Sequence, residues 1–246
     1  MCISIIKRGV YLSKEQGVFI ALLKGVKFFW ARTIGGIGSA LYVTNSYEYW
    51  NFRMKYDWNF VGGGEQTMYF TAGMFANVQF DDLRQIKTVL DYGCATGDSA
   101  IILKIFLPKA QIYLHDISEV GVRKAIAKYS RFIPVSKHLG STKYELVYSS
   151  NVIEHVDDPK AFVSELVSLS EKYIVIQCPW EESHPTNGGD ISPNNPSNEH
   201  KWTINDDFFN LYIKNEHVEW SFTKGEVPMA WQGGIQAFFL GKIINK

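Results

Sequence analysis

Cysteine is scarce in this chain, and Cys2, Cys94 and Cys178 stand far apart. Three isolated thiols give neither a disulfide framework nor the paired spacing of a metal or redox motif. They point to a reducing compartment, the cytoplasm, and no metal is expected. Long apolar runs are missing too. The best, Val18 to Leu23, spans six residues and stops at Lys24, whereas crossing a bilayer takes roughly 20. It is also too short and interrupted for a secretory leader. Neither charge is in excess: 25 Lys and Arg balance 25 Asp and Glu. Nucleic acid, which calls for a basic surplus, is therefore not an expected partner. Repeats and low-complexity tracts are absent.

What remains is 246 residues of ordinary globular composition, 46 % hydrophobic and 20 % charged. That suits one α/β domain with an N-terminal extension, divided as residues 1–46 and 47–246. The balanced total hides an uneven spread. Lys7, Arg8, Lys14, Lys24, Lys27 and Arg32 face Glu15 alone within residues 1–40. Residues 15–32 have the periodicity of an amphipathic helix, with Val18, Phe19, Leu22, Leu23, Val26, Phe29 and Trp30 on its apolar face. This basic helix has two readings. Residues 14–32 either lie on a membrane surface, giving peripheral attachment, or pack against the domain or a second copy in a homodimer. The glycines between Arg32 and Gly38 mark a joint. Tyr47 to Phe80, rich in aromatics and interrupted by Gly62-Gly63-Gly64, reads as a loop followed by a helix.

From residue 86 strands and helices alternate. Strands are expected at Thr88–Asp91, Gln111–His115, Tyr144–Tyr148 and Tyr173–Gln177. Helices are expected at Ser99–Phe106, Val120–Tyr129 and Pro159–Leu169. This order implies a mostly parallel sheet covered on both faces. A polar loop, Glu181–Lys201, precedes a helix Asn205–Lys214. Two late strands, Val218–Thr223 and Ile235–Ile243, read as an antiparallel pair at the sheet edge.

The segment Thr88-Val-Leu-Asp-Tyr-Gly-Cys-Ala-Thr-Gly-Asp-Ser99 carries the chemistry. A buried strand runs through a glycine turn into a helix, at the strand end where open α/β sheets bind ligands. A dinucleotide fingerprint would place glycine at 93, 95 and 98. Here 95 is Ala and 98 is Asp, and an acid at the helix start repels a pyrophosphate. No Gly-Lys-Ser/Thr ending is present for a nucleotide P-loop. A zwitterionic amino acid joined to a nucleoside fits better, with Asp91 facing its ammonium and turn amides serving its carboxylate. Asp116 follows Gly93 by 23 residues, near the spacing of roughly 20 at which a carboxylate takes a ribose diol.

Leu90-Asp-Tyr-Gly-Cys-Ala-Thr-Gly97 and His115-Asp-Ile-Ser118 resemble the first two motifs of the class I S-adenosylmethionine-dependent methyltransferases. Tyr144-Glu-Leu-Val-Tyr-Ser-Ser-Asn-Val-Ile-Glu-His-Val-Asp-Asp-Pro159 resembles the strand-four motif of their small-molecule branch. The likeness covers residues 86–180 well. Residues 47–70, with Tyr49-Trp50, Arg53 and Gly62–Gly64, further resemble the entry segment of methyltransferases found with bacterial surface-polysaccharide genes.

The resemblance implies a Rossmann-like seven-stranded sheet with its last strand antiparallel. It also implies S-adenosyl-L-methionine as cofactor, S-adenosyl-L-homocysteine as product and a small-molecule substrate. Cofactor binding falls to Asp91, Gly93, Cys94, Ala95, Gly97, Asp116, Ile117, Ser150 and Asn151. Residues 130–143 lack the acid that many members place against the adenine amino group.

The expected function is O-methylation of a sugar or glycan-precursor group. Alternatives are a non-sugar acceptor (an amine, a phosphate-type oxygen or a lipid-like molecule) and a non-catalytic partner subunit of the same fold. Methyl transfer from a sulfonium depends mainly on alignment, and a hydroxyl acceptor gains from a histidine base. His155, His184 and His200 are the candidates. Glu154 reads first as structural. Tyr47, Trp50, Arg53 and Trp202 are candidates to close over cofactor or substrate, aromatic faces attracting a cation.

Overall fold

The parallel strands bring their carboxyl ends to one edge of the sheet, and the chain places its site there. In a computed structural model, residues 41–81, 83–181, 200–231 and 233–244 are described, together with Val26, Phe29, Thr33 and Ile37. The expected seven-stranded sheet is present, in spatial order β3-β2-β1-β4-β5-β7-β6. Its strands are β1 (Thr88–Tyr92), β2 (Gln111–His115), β3 (Val135–Lys137), β4 (Tyr144–Ser150), β5 (Ser170–Pro179), β6 (Val218–Glu226) and β7 (Ile235–Ile243). β1 to β5 run parallel to one another. β7 is antiparallel to both β5 and β6, so the late hairpin enters the sheet with its second strand inside. Burial follows from that position: Ala237, Phe238 and Phe239 of β7 are buried, while β6 alternates as an edge strand does.

The helices are α1 (Tyr47–Tyr56), α2 (Gly63–Asn77), α3 (Ser99–Phe106), α4 (Glu119–Tyr129) and α5 (Pro159–Leu169). One apolar cluster lies on each sheet face: Met74, Leu103, Leu114 and Val122 belong to one, Leu90, Val147, Leu166 and Ile174 to the other. Each such side chain contributes about 1.5–3 kcal/mol through burial.

Three expectations need correction. Residues 47–80 hold two helices where a loop and one helix were expected. Gly63 and Gly64 begin α2, because other groups press against them: a Cβ on Gly63 would lie 2.5 Å from the Trp58 ring, and one on Gly64 2.7 Å from the Asp98 carboxylate. The helix expected over Asn205–Lys214 is an α turn (Asp206–Phe208) continued by a π turn (Phe209–Ile213). β3 has only three residues, too few to give a period in the sequence.

α1 is tied to the sheet domain by Asn51. Its Oδ1 accepts from Ser118 Oγ at 2.9 Å and from the Val120 amide at 3.1 Å, capping the start of α4 from outside. Among the described residues, no helix is long and apolar enough to cross a membrane.

Candidate active site

β1 ends at Asp91 and Tyr92, and the chain bends at once to start α3. Gly93 and Gly97 take φ of +88° and +73°, and Ala95 takes +48°. Glycine enters this left-handed region freely, whereas an L side chain there costs roughly 1–2 kcal/mol. Gly93 is required twice over, since a Cβ would stand 2.2 Å from Val152 Cγ2.

Four amides of the bend already have partners. Gly93 and Cys94 donate to the His115 carbonyl at 2.8 and 2.9 Å, and Gly97 donates to the Cys94 carbonyl at 2.7 Å. Ala95 donates to Asp116 Oδ2 at 2.8 Å. These four amides hold the turn itself, and at their positions the turn offers close approach.

Asp116 follows β2, which pairs with β1 in parallel through Tyr92 and His115. Its Oδ1 accepts from the Ser118 amide at 2.7 Å, so each oxygen is fixed by one backbone donor. Burial pushes its carboxyl up to about 6, with the Ser118 and Ala95 amides pulling it down. Asp91 is buried as well and accepts a hydrogen bond from Ser99 Oγ. Burial pushes Asp91 up to about 7 against that bond, and the nearby charges of Asp116 and Asp98 add to the rise. Two buried acids poised near neutrality on one wall suit a ligand bringing a cation and hydroxyl donors.

A cavity of about 1000 Å³ spans the carboxyl ends of β1, β2, β4 and β5. The chain reverses direction along the sheet between β1 and β4, the place where such folds bind ligands. Asp91, Gly93, Ala95, Asp116, Ile117, Ser150 and Asn151 all line it, as do Tyr47, Trp50 and Arg53. Arg53 is held in place: its Nε donates to Asp57 Oδ2 at 2.9 Å and its Nη1 to Tyr49 Oη at 2.7 Å. Cys94 and Gly97 do not line the cavity. The Cys94 side chain sits in the core, and Gly97 gives room to Ala125, whose Cβ lies 2.5 Å from where its own would be.

His155 and His200 meet with ring centroids 4.8 Å apart, and Trp50 lies edge-on to His155 at 5.4 Å. Both imidazoles and Glu154 face the cavity. Glu154, His155 and His200 each offer one ligand atom within 4.8 Å of the others. His184 lies outside the described residues. Trp202 is elsewhere: its indole donates to the Val156 carbonyl at 2.8 Å and its ring packs on Phe208 and Tyr212. It fastens a loop and does not close over a ligand.

Asp98 does not line the cavity, so the expected repulsion of a phosphate does not arise there. Its carboxylate takes Lys128 Nζ at 2.7 Å, Tyr129 Oη at 2.6 Å and Thr96 Oγ1 at 2.6 Å, joining the turn to α4. Several lining residues escaped the sequence reading. Tyr148 sits in the buried floor, its hydroxyl 3.2 Å from Thr71 Oγ1 and 3.3 Å from Gln177 Oε1. Lys137 ends β3, 3.5 Å from Glu119. Only the register of β3 on β2 brings it to the site.

A family model described as "Methyltransferase domain" matches residues 71–216. Comparison with curated proteins finds no match. Among solved structures, the chain is similar to magnesium protoporphyrin IX methyltransferase from Synechocystis PCC 6803 with bound SAH. That likeness has 18 % identity over 75 % of this chain and 85 % of the other, with TM-score 0.54. It is similar too to the complex between the Haloferax volcanii Trm112 methyltransferase activator and the putative methyltransferase (12 % identity, 80 % and 98 % covered, TM-score 0.59). A third is phosphoethanolamine N-methyltransferase 1 of Haemonchus contortus, with phosphoethanolamine and S-adenosylhomocysteine (15 % identity, 80 % and 48 % covered, TM-score 0.54). At these identities the likeness concerns the fold.

Proposed function

The chain belongs to the methyltransferase domain family, whose cofactor is S-adenosyl-L-methionine, and we propose that it methylates an oxygen of a sugar or glycan-precursor group in bacterial surface-polysaccharide assembly. The observation that carries this reading is the joint placement of Asp91, Gly93 and Asp116 on the same cavity as the His155–His200 pair. The cavity fits the cofactor because its two buried acids are held near neutrality and glycine removes the side chain that would obstruct the turn. When bound, the cofactor supplies an electrophilic methyl group on a sulfonium.

Asp116 takes the ribose diol, its oxygens being oriented by the Ala95 and Ser118 amides. Asp91 balances the ammonium group. Arg53, steadied by Asp57 and Tyr49, takes the carboxylate, a role the occupied turn amides leave open. Trp50 offers an aromatic face to positive charge. His155 and His200 receive the acceptor hydroxyl and govern loss of its proton, and His184 belongs to the same set by its place in the sequence. His155→Ala and His200→Ala should each lower kcat by about 10²–10⁴-fold with cofactor affinity unchanged. A methyl-release assay on sugars and nucleotide sugars tests the acceptor; silence on every sugar overturns it.

An amine acceptor is the second reading. It is favoured by the acidic wall: Asp157, Asp158, Glu119 and Glu165 line the cavity besides Glu154, against Arg53, Lys137 and Lys201. Methyl release from amines with none from sugars would select it.

Val26, Phe29 and Ile37 are helical and exposed. Together with the lysines of residues 14–32 they support peripheral contact with an anionic membrane over packing on their own domain; a second copy is the other partner such a face could take. Flotation with anionic liposomes, lost on deletion of residues 1–40, is the expected outcome.

A further inference from the structure

The cavity wall that follows β4 is made from two pieces of chain stitched together. The first is the 3₁₀ turn Ile153–His155; the second is the segment starting at His200. The Lys201 amide donates to the Glu154 carbonyl at 2.7 Å, and the Trp202 indole donates to the Val156 carbonyl at 2.8 Å. Lys201 Nζ also pairs with Asp157, 44 residues away in sequence. Three ties on Lys201 and Trp202 fix His200 against Glu154 and His155, and all three residues line the cavity.

From this geometry we propose that Glu154, His155 and His200 bind a divalent transition-metal ion. The donor set is two imidazole nitrogens and one carboxylate oxygen, which is the combination of open catalytic sites that keep positions for water or substrate. Imidazoles favour zinc, iron or nickel over magnesium, which prefers oxygen. Donors around such an ion stand about 2.0–2.2 Å from it, so neighbouring donors of a tetrahedral site are about 3.4 Å apart. The three donors here lie within 4.8 Å of one another, and side-chain rotations that draw them inward by about an ångström complete the site.

Glu154 is 1 % exposed, so its carboxylate is presented from the packed side of the wall. The sequence reading saw Glu154 as structural and expected no metal, because the third donor arrives from a distant loop.

The ion's role rests on the methyl-transfer reading; its binding does not. Seated beside the acceptor, it would coordinate and orient a hydroxyl and lower its pKa, so that the proton passes to water. The histidines then act as ligands.

The full chain, stripped with a chelator and titrated with Co²⁺, tests this through the visible d–d absorption of a bound ion. We expect one equivalent to bind, Zn²⁺ to displace it, and affinity to fall at least tenfold in both His155→Ala and His200→Ala. Cofactor calorimetry on the same samples shows whether each variant is folded, and His200→Gln replaces any that is not. No binding by the wild type overturns the proposal, as does binding that both variants retain. Metal binding without cofactor binding would sink the methyltransferase reading and spare the metal site.

Discussion

Asp116 Oδ2 accepts the Ala95 amide at 2.8 Å, closing a bond between two loops 21 residues apart. That bond lets one carboxylate do two things. It stiffens a turn in which Ala95 holds an unfavourable positive φ, and it aims its remaining lone pairs into the cavity.

Replacing Gly93 with alanine should cost about 1–3 kcal/mol and weaken cofactor binding, read by thermal unfolding and calorimetry. The added Cβ meets Val152 and the backbone must keep φ near +88°. The double variant Gly93→Ala/Val152→Ala should recover part of the loss, because it removes the collision and leaves the dihedral. Full recovery would show that the dihedral carries no cost.

The pH dependence follows from Asp91 and Asp116. Their folded-state values, about 7 and about 6, lie above the ordinary 3.8. Between about pH 4 and 7 the folded chain therefore holds protons that the unfolded chain has released. Their contribution to stability is complete below pH 4 and is lost as pH rises through 6 and 7. Cofactor binding, which favours the ionised acids, should tighten over the same range with proton release. Calorimetry in buffers of different ionisation enthalpy measures that release; observed heats that do not change with the buffer, with flat affinity from pH 5 to 8, would contradict the assignment.

Asp98 and Lys128 form an ion pair with unequal partners. The Asp98 side chain is 5 % exposed and that of Lys128 49 %. Asp98→Ala should cost about 2–4 kcal/mol, since it strands the donors of Tyr129 and Thr96. Lys128→Ala should cost under about 1 kcal/mol, water screening the half-exposed ammonium. Chemical denaturation of the two variants gives the comparison, and similar costs would show the lysine to matter more than its exposure allows.

Local patterns were readable in the sequence, and long-range ones were not. The strand-turn-helix around Asp91, the acid at 116 and the β-α alternation are written in neighbouring residues. The seven-stranded sheet, its antiparallel final strand and the cofactor class were implied by the family resemblance that these residues carry. Gly63 and Gly64 looked like loop glycines because Trp58 and Asp98, which press on them, are brought there only by folding. Trp202 looked like a lid because its bond to Val156 spans 46 residues. Asn51 gave no signal, its capping partners lying beyond Asp116. Lys137 came to the site on a strand too short to show a period.

Titration calorimetry with S-adenosyl-L-methionine on the wild type and Asp116→Ala is the most direct measurement. One binding site in the wild type is expected, weakened about 10–100-fold in the variant, the worth of a hydrogen-bonded charged group. An absence of binding heat in the wild type, or equal affinity in the two proteins, would contradict the assignment of the turn and Asp116 to the cofactor.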